Sequence, residues 1–325
     1  MRAVFLDFDS VTRGDIDRTV LERVVSPWIF HGDTESSQLL ERIHNAEIIV
    51  TNKTALDRAI IFAENRLKLI CVAATGYNNI DLVAAAEGGV AVCNVRGYAT
   101  QSVTQHVFML MLALTRHFMD YQQLVKSGGW QSSRFFCRLD YAIDELTGKS
   151  LGIIGYGELG RAVARVAEVF GMQVLIAEHK GVPSSSIRTG RKPFDEVLAR
   201  ADFISLHCPL SPDTRELIGQ LEFGLMKPTA YLINTARGAL INENALLKSL
   251  ETGEIAGAAI DVLQGEPPEH GHPLLAYAHS NLIVTPHIAW ASRESRQRLL
   301  VLLAENIHNF IHNQPFNQIK DALKS

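Results

Sequence analysis

Apolar and polar positions alternate in blocks along this chain. In residues 1–100, short β-rich runs recur at Ala3–Phe8, Glu47–Thr51, Lys68–Ala73 and Ala91–Asn94, with a weaker run at Trp28–Phe30. Helical patterns, such as Lys53–Glu64 and Asp81–Glu87, lie between them. Strand–helix alternation predicts crossover connections and a parallel sheet. A second series follows residue 150, with strands expected at Leu151–Ile154, Gln173–Ala177, Phe203–His207, Ala230–Asn234, Gly257–Val262 and Asn281–Thr285. These runs are almost wholly apolar, as strands buried on both faces require. Glu158–Phe170 places Leu159, Val163, Val166, Ala167 and Phe170 on one helical face. Two longer helices are expected, Ser102–Val125 before the second series and Ser292–Asn313 after it. Six strands with crossovers predict an α/β, Rossmann-type doubly wound sheet.

Length and composition narrow the picture only a little. A chain of 325 residues suggests two domains. Hydrophobic residues at 47% and charged residues at 20% fit a globular protein and argue against disorder. The net charge of −4 advertises neither a nucleic-acid nor a membrane-surface partner. The longest apolar run, Val107–Leu114, is too short to cross a bilayer. The N-terminus turns acidic at Asp7 after a few apolar residues, unlike a signal peptide. Cys71, Cys93, Cys137 and Cys208 are scattered, as reduced thiols of a cytoplasmic protein would be. With no Gly/Ser linker, domain boundaries fall near Tyr98–Ser102 and Ala289–Ala291, giving 1–100 plus 290–325 as one domain and 101–289 as the other.

The first chemical signal is Leu151-Gly-Ile-Ile-Gly155-Tyr-Gly157-Glu158-Leu159-Gly160, a strand, a GxGxxG turn and a helix. Gly155 would make the turn, Gly157 would admit a pyrophosphate and Gly160 would let helix and strand pack closely. The helix N-terminus offers N–H groups and a partial positive charge to phosphates. Glu178 follows 23 residues after Gly155, at the end of the next strand. An acid there accepts hydrogen bonds from the adenosine ribose and repels a 2′-phosphate, favouring NAD over NADP. His179 and Lys180 follow it, and a cation there could instead meet that phosphate.

Three later segments each end a strand: Asn234-Thr235-Ala236-Arg237-Gly238, Asp261-Val-Leu-Gln-Gly-Glu266-Pro-Pro, and Thr285-Pro-His287-Ile-Ala-Trp290. Doubly wound folds bind ligands at strand ends. Arginine holds a carboxylate through two parallel hydrogen bonds. Histidine exchanges a proton near neutral pH, and a carboxylate beside it fixes its tautomer and favours its charged form. Arg237, Glu266 and His287 therefore read as a set.

These motifs, with Ala74-Thr75-Gly76-Tyr-Asn-Asn-Ile-Asp81, Gly97-Tyr-Ala-Thr-Gln-Ser-Val103, Leu206-His-Cys208-Pro209-Leu and Met226-Lys-Pro228, resemble the D-isomer-specific 2-hydroxyacid dehydrogenase family over about Cys71–Ile311. The resemblance implies a Rossmann-type coenzyme domain inserted into a flavodoxin-like α/β substrate domain built from both chain ends, usually in a homodimer. It makes His287 the acid/base, Glu266 its partner and Arg237 the clamp for the substrate's carboxylate and oxo group. Ala74, Thr75, Gly76 and Trp290 would bind substrate, with backbone N–H groups of Thr75 and Gly76 reaching it across the cleft. Asp261 would hold the nicotinamide carboxamide, with Thr235 and Ala236 beside the ring. Glu158 and Leu159 would approach the pyrophosphate, Cys208, Pro209 and Thr214 the adenosine side, and Thr104 the cofactor from the first long helix. No metal is implied.

Ile-Ala-Trp-Ala-Ser after His287 and Val-Thr-Gln-His after Ser102 are similar to the glycerate dehydrogenase branch. The expected reaction is NADH-linked reduction of a small 2-oxo acid, hydroxypyruvate or glyoxylate. An NADP-linked glyoxylate reductase and an NADH-sensing corepressor-like binding protein are the alternatives. Trp130, Phe135, Phe136, Arg138 and Trp290 could close the pocket, or else pack in a core or dimer contact.

Overall fold

The computed structural model describes residues 1–314 and 316–319. Its elements run β1 (Ala3–Phe5), α1 (Thr19–Glu22), β2 (Trp28–Phe30), α2 (Leu39–Ile43), β3 (Ile48–Thr51), α3 (Arg58–Ala63), β4 (Leu69–Val72), α4 (Leu82–Glu87) and β5 (Ala91–Asn94). Next come α5 (Thr100–Thr115), α6 (Phe118–Lys126), β6 (Ser150–Ile154), α7 (Glu158–Val169), β7 (Gln173–Ile176), α8 (Phe194–Arg200) and β8 (Phe203–Leu206). The remainder is α9 (Gln220–Leu225), β9 (Tyr231–Asn234), α10 (Glu243–Glu251), β10 (Gly257–Ile260), α11 (Pro273–Ala276), β11 (Leu282–Val284) and α12 (Arg293–Ile311). The chain divides into two compact units, Met1–Ala99 with the segment from Trp290 onward, and Thr100–Ala289.

The first unit holds a parallel sheet in the order β2-β1-β3-β4-β5, the strand order of flavodoxin-like folds. Alternate strand residues feed opposite faces. Phe5, Ile48, Leu69 and Cys71 pack against Leu299, Leu303 and Ile307 of α12. Val4, Ile49 and Ile70 pack with Ile43 and Ile61 on the other face. Helix α12 is pinned by polar contacts as well: Ser295 Oγ donates to the Tyr98 carbonyl at 3.2 Å and Asn306 Nδ2 to the Asn94 carbonyl at 3.0 Å.

The second unit holds a six-stranded parallel sheet, β11-β10-β9-β8-β6-β7. Beyond β7 a single parallel bridge, Ala177 with Lys192, stands where a doubly wound sheet has a further strand. This edge is a single residue, Lys192, and the loop leading into it carries Arg188 and Arg191, which matter below.

Two helices differ from the reading of the sequence. The expected Lys53–Glu64 helix begins only at Arg58, because Asp57 caps it by accepting the Ile60 N–H at 2.9 Å. The residues before it wrap the buried Asp7 carboxylate, which accepts the N–H groups of Asn52 at 2.8 Å, Lys53 at 2.6 Å and Thr54 at 3.0 Å. The expected Ser102–Val125 helix is two helices, broken at His117, whose φ of +48° leaves helical space. No Gly or Pro marks this break. His117 is held by its ring, with Nδ1 3.0 Å from Asp120 Oδ2 and the face stacked on Tyr141.

Candidate active site

The glycine loop is built by close approaches. Gly155 has φ +93°, and a Cβ there would lie 2.5 Å from the Cys208 nitrogen. A Cβ on Gly160 would lie 2.1 Å from the Gly155 carbonyl oxygen, so only glycine lets α7 sit this near β6. A Cβ on Gly157 would meet nothing within 4 Å: this face of the turn is open. Gly157 is the N-cap residue of α7 and no side chain caps the helix there. Its first N–H groups are therefore available to an anion. The side chain of Glu158, which would repel a phosphate, turns away to accept the Thr100 hydroxyl. Two polar atoms at neighbouring strand ends, His207 Nδ1 and Thr235 Oγ1, are sealed from water with no partner. An open glycine face, an uncapped helix N-terminus and orphaned polar atoms fit a dinucleotide laid across the ends of β6, β8 and β9.

Cys208 is partly buried, and that burial pushes its thiol up to about 11, so it stays protonated. The Pro209–Thr214 turn is closed by Thr214 Oγ1 donating to the Pro209 carbonyl at 2.7 Å. Leu159 is half-buried at the start of α7. Thr104 is buried, its hydroxyl taken by the Thr100 carbonyl at 2.8 Å within α5.

The catalytic candidates come together through their loops. Asn234, fully buried at the end of β9, shapes the Arg237 turn from both sides. Its Nδ2 donates to the Arg237 carbonyl at 2.8 Å and its Oδ1 accepts the Ala236 N–H at 3.0 Å. The next residue, Gly238, lies against the Glu266 loop: a Cβ there would be 2.1 Å from the Leu263 carbonyl carbon. That loop is anchored on α10, where Glu243 accepts the Gln264 N–H at 2.8 Å. Glu266 in turn uses one oxygen for the Leu263 N–H at 2.7 Å and the other for His287 Nδ1 at 2.5 Å. With the Nδ1–H directed at Glu266, Nε2 is the nitrogen positioned to exchange a proton.

His287 has φ +54°, uncommon for a residue with a side chain. Asp261 holds it there. The Asp261 carbonyl accepts the His287 N–H at 2.8 Å. The Asp261 carboxylate, 1% exposed, accepts the Ile288 N–H at 2.9 Å, the Ala289 N–H at 2.8 Å and the Thr285 hydroxyl at 2.5 Å. Since the Thr285 proton goes to Asp261, His106 Nε2–H donates to Thr285 Oγ1 at 3.0 Å. Burial pushes the His106 pKa down, against the opposing pull of Asp261. Ser102 completes the support from α5, donating to the Ala289 carbonyl at 2.6 Å. The sequence motif around Ser102 and His106 is thus the backing of the His287 loop. Asn234 and Thr285, which open two of the strand-end motifs but had no role assigned, do the same kind of work, as does Glu243, which lies outside them.

Glu178 departs most from expectation. It is 4% exposed at the end of β7, already accepts four donors and has a second guanidinium nearby. These are the His179 N–H at 2.9 Å, the Arg188 N–H at 3.2 Å, Arg188 Nε at 2.7 Å, Arg188 Nη2, and Arg191 Nη1 at 3.6 Å. The Arg188 fork holds the carboxyl far below the usual carboxylate range. Lys180 turns away to Glu222 at 2.7 Å, and His179 is exposed.

In the first unit, Ala74, Thr75 and Gly76 follow β4 at the carboxyl edge of its sheet. Asn94 Nδ2 fixes the turn by donating to the Thr75 carbonyl at 2.6 Å. Trp290 belongs to this unit, its ring edge-on to Tyr98 at 6.2 Å.

Residues 108–289 match the family profile described as D-isomer specific 2-hydroxyacid dehydrogenase, NAD binding domain. The chain belongs to that family. It is 40% identical to a glycerate dehydrogenase of Methylorubrum extorquens, over 94% of this chain and 98% of that protein. It is 36% identical to a hydroxypyruvate reductase of Blautia hydrogenotrophica, over 98% and 99% of the two chains. A crystal structure of a glyoxylate reductase from Paecilomyes thermophila superposes with a TM-score of 0.82 at 28% identity, covering 99% of this chain and 98% of that one. Membership makes this 2-hydroxyacid dehydrogenase an oxidoreductase that uses NAD.

Proposed function

We propose that this dehydrogenase reduces hydroxypyruvate to D-glycerate and glyoxylate to glycolate. The observation that carries the reading is the Glu266–His287 pair at 2.5 Å, set on the same strand-end edge as Arg237 and the glycine loop. His287 Nε2 gives its proton to the carbonyl oxygen as the alcohol forms, and Glu266 holds the ring in the tautomer and orientation this needs. Arg237 binds the substrate carboxylate and polarises the carbonyl. When bound, the reduced nicotinamide supplies the hydride that the carbonyl carbon accepts. Thr235 and Ala236 would flank its ring, and Asp261, which orients the His287 loop, would lie on the carboxamide side. Ala74, Thr75, Gly76 and Trp290 contribute from the substrate domain, residues 1–100 with 290–325. The names of the similar glycerate dehydrogenase, hydroxypyruvate reductase and glyoxylate reductase support a small substrate.

The same reading has the enzyme act as a homodimer in the cytoplasm. The 127–143 segment supports the dimer. It is closed on itself, with Trp130 Nε1 donating to the Phe136 carbonyl at 3.0 Å and Arg138 Nη1 to the Gly129 carbonyl at 2.6 Å. Its apolar side chains point outward: Phe135, Phe136 and Leu139 are 71%, 91% and 81% exposed. A second copy would cover them. Four cysteines without a disulfide support a reducing compartment, and among the described residues no helix is long and apolar enough to cross a membrane.

The test is steady-state turnover with NADH on hydroxypyruvate, glyoxylate, pyruvate and 2-oxoisocaproate. The first two should lead in kcat/KM by about tenfold or more, and Arg237→Ala should raise KM and lower kcat together. A lead for the branched acid would overturn the substrate assignment. No turnover on any of the four would favour a nucleotide-sensing protein.

A further inference from the structure

In a site selective for NAD, an acid at the end of the second strand stands ready to accept the ribose hydroxyls. Here that acid is saturated. A carboxylate offers about four acceptor sites, and Glu178 already takes four donors from His179 and Arg188, with the Arg191 guanidinium 3.6 Å away. The local charge is also reversed: one carboxylate sits among two guanidinium groups, delivered by the loop that leads into Lys192 at the sheet edge.

The two arginines are not equivalent. The Arg191 side chain is 18% exposed and also donates to the Ala177 carbonyl at 3.4 Å, so it belongs to the wall of the site. The Arg188 side chain is 53% exposed and lies over Glu178 like a cover. If its guanidinium rotates away, the Arg188 and His179 N–H groups and Arg191 still serve Glu178. Moving the fork therefore leaves no buried charge without a partner, the usual penalty for breaking such a pair. A guanidinium fork matches a phosphate as well as it matches a carboxylate.

We propose that Arg188 is a cofactor-selecting residue that gives this dehydrogenase access to NADPH as well as NADH. With NADH, the guanidinium swings off and Glu178 takes the ribose hydroxyls. With NADPH, it turns onto the 2′-phosphate, Arg191 compensates Glu178, and the repulsion expected of a lone acid is absent. Both cofactors open the same ion pair, so neither gains from the opening itself. The inference rests on the dehydrogenase reading for its cofactor but not on any 2-oxo acid.

The experiment is equilibrium fluorescence titration of the full chain with NADH and NADPH, without substrate, and with 5′-AMP and 2′,5′-ADP as competitors. Wild-type protein should bind NADPH within about tenfold of NADH, and 2′,5′-ADP should compete at least as well as 5′-AMP. Arg188→Ala should weaken NADPH and 2′,5′-ADP by about tenfold or more while NADH stays or tightens, and Arg188→Lys should fall between. NADH binding in each variant reports that the fold is intact. The proposal fails if wild-type protein rejects NADPH, or if Arg188→Ala moves the NADPH to NADH affinity ratio by less than tenfold. Because the titrations hold no 2-oxo acid, failure here leaves the substrate assignment standing, and failure there leaves this one.

Discussion

Asp261 holds His287 through the backbone. Its carbonyl accepts the His287 N–H at 2.8 Å while its carboxylate takes the next two N–H groups. The left-handed φ of His287 is thus set by a residue on the neighbouring strand. Asp261→Ala should orphan those donors, lower stability by about 2–5 kcal/mol and cut kcat by about 100-fold. Asp261→Asn, which keeps one acceptor, should lose less of both. Chemical denaturation and single-turnover rates check this, and unaltered kcat in Asp261→Ala would break the argument.

His287→Gln should lower kcat by about 10²–10⁴-fold, the usual worth of a general acid. NADH affinity measured by fluorescence should stay close to wild type. Glu266→Gln keeps an acceptor for Nδ1 but removes its charge, so its loss should be smaller, about tenfold or more. Equal losses in the two variants would mean that Glu266 does more than orient the ring.

A pH dependence of stability follows from His207. Its ring is sealed among the strand ends, and burial pushes its pKa down to about 4 from the ordinary 6.5. Between those values the unfolded chain binds a proton that the folded chain does not. Stability from this group is therefore complete above pH 6.5 and falls as pH drops toward 4, by up to about 3 kcal/mol. Urea denaturation of the nucleotide-free protein at intervals over that range should show the decline, and His207→Gln should flatten it. Parallel curves for the two proteins would assign the decline to other groups.

Phe136→Asp with Leu139→Asp places charge on the most exposed apolar positions of the 127–143 segment. Light scattering should give twice the chain mass for wild-type protein and a dimer weakened by about 100-fold or more for the variant. A monomeric wild type, or an unaffected variant, would reject this face as the contact.

How much of this was readable in the chain varies with the range of the interactions involved. The strands were visible because apolar runs and crossovers follow from burial on both faces. The glycine loop was visible because each glycine answers a local steric demand, at Gly155 and Gly160 above all. The start of α3 and the break before α6 were not visible. The first depends on Asp7, more than forty residues away, whose carboxylate holds the Asn52–Thr54 loop. The second depends on His117 resting on Tyr141. Glu178 was found by its distance from Gly155, yet its partners Arg188 and Arg191 lie in the loop before Lys192, an edge too short to read as a strand. Position along the chain located that acid; only the fold showed what already binds it.

Asp7 has one more consequence. The first unit has the strand order of a nucleotide-binding fold, whose ligand crevice opens where the order reverses, between β1 and β3. At that point a loop aims three N–H groups inward, the kind of nest that receives a phosphate. In this chain the anion is built in: Asp7 sits at the end of β1 and fills the nest from inside. The nest of the first unit is satisfied by the protein's own side chain. Among the described residues, the glycine turn with an open face and an uncapped helix N-terminus lies in the second unit.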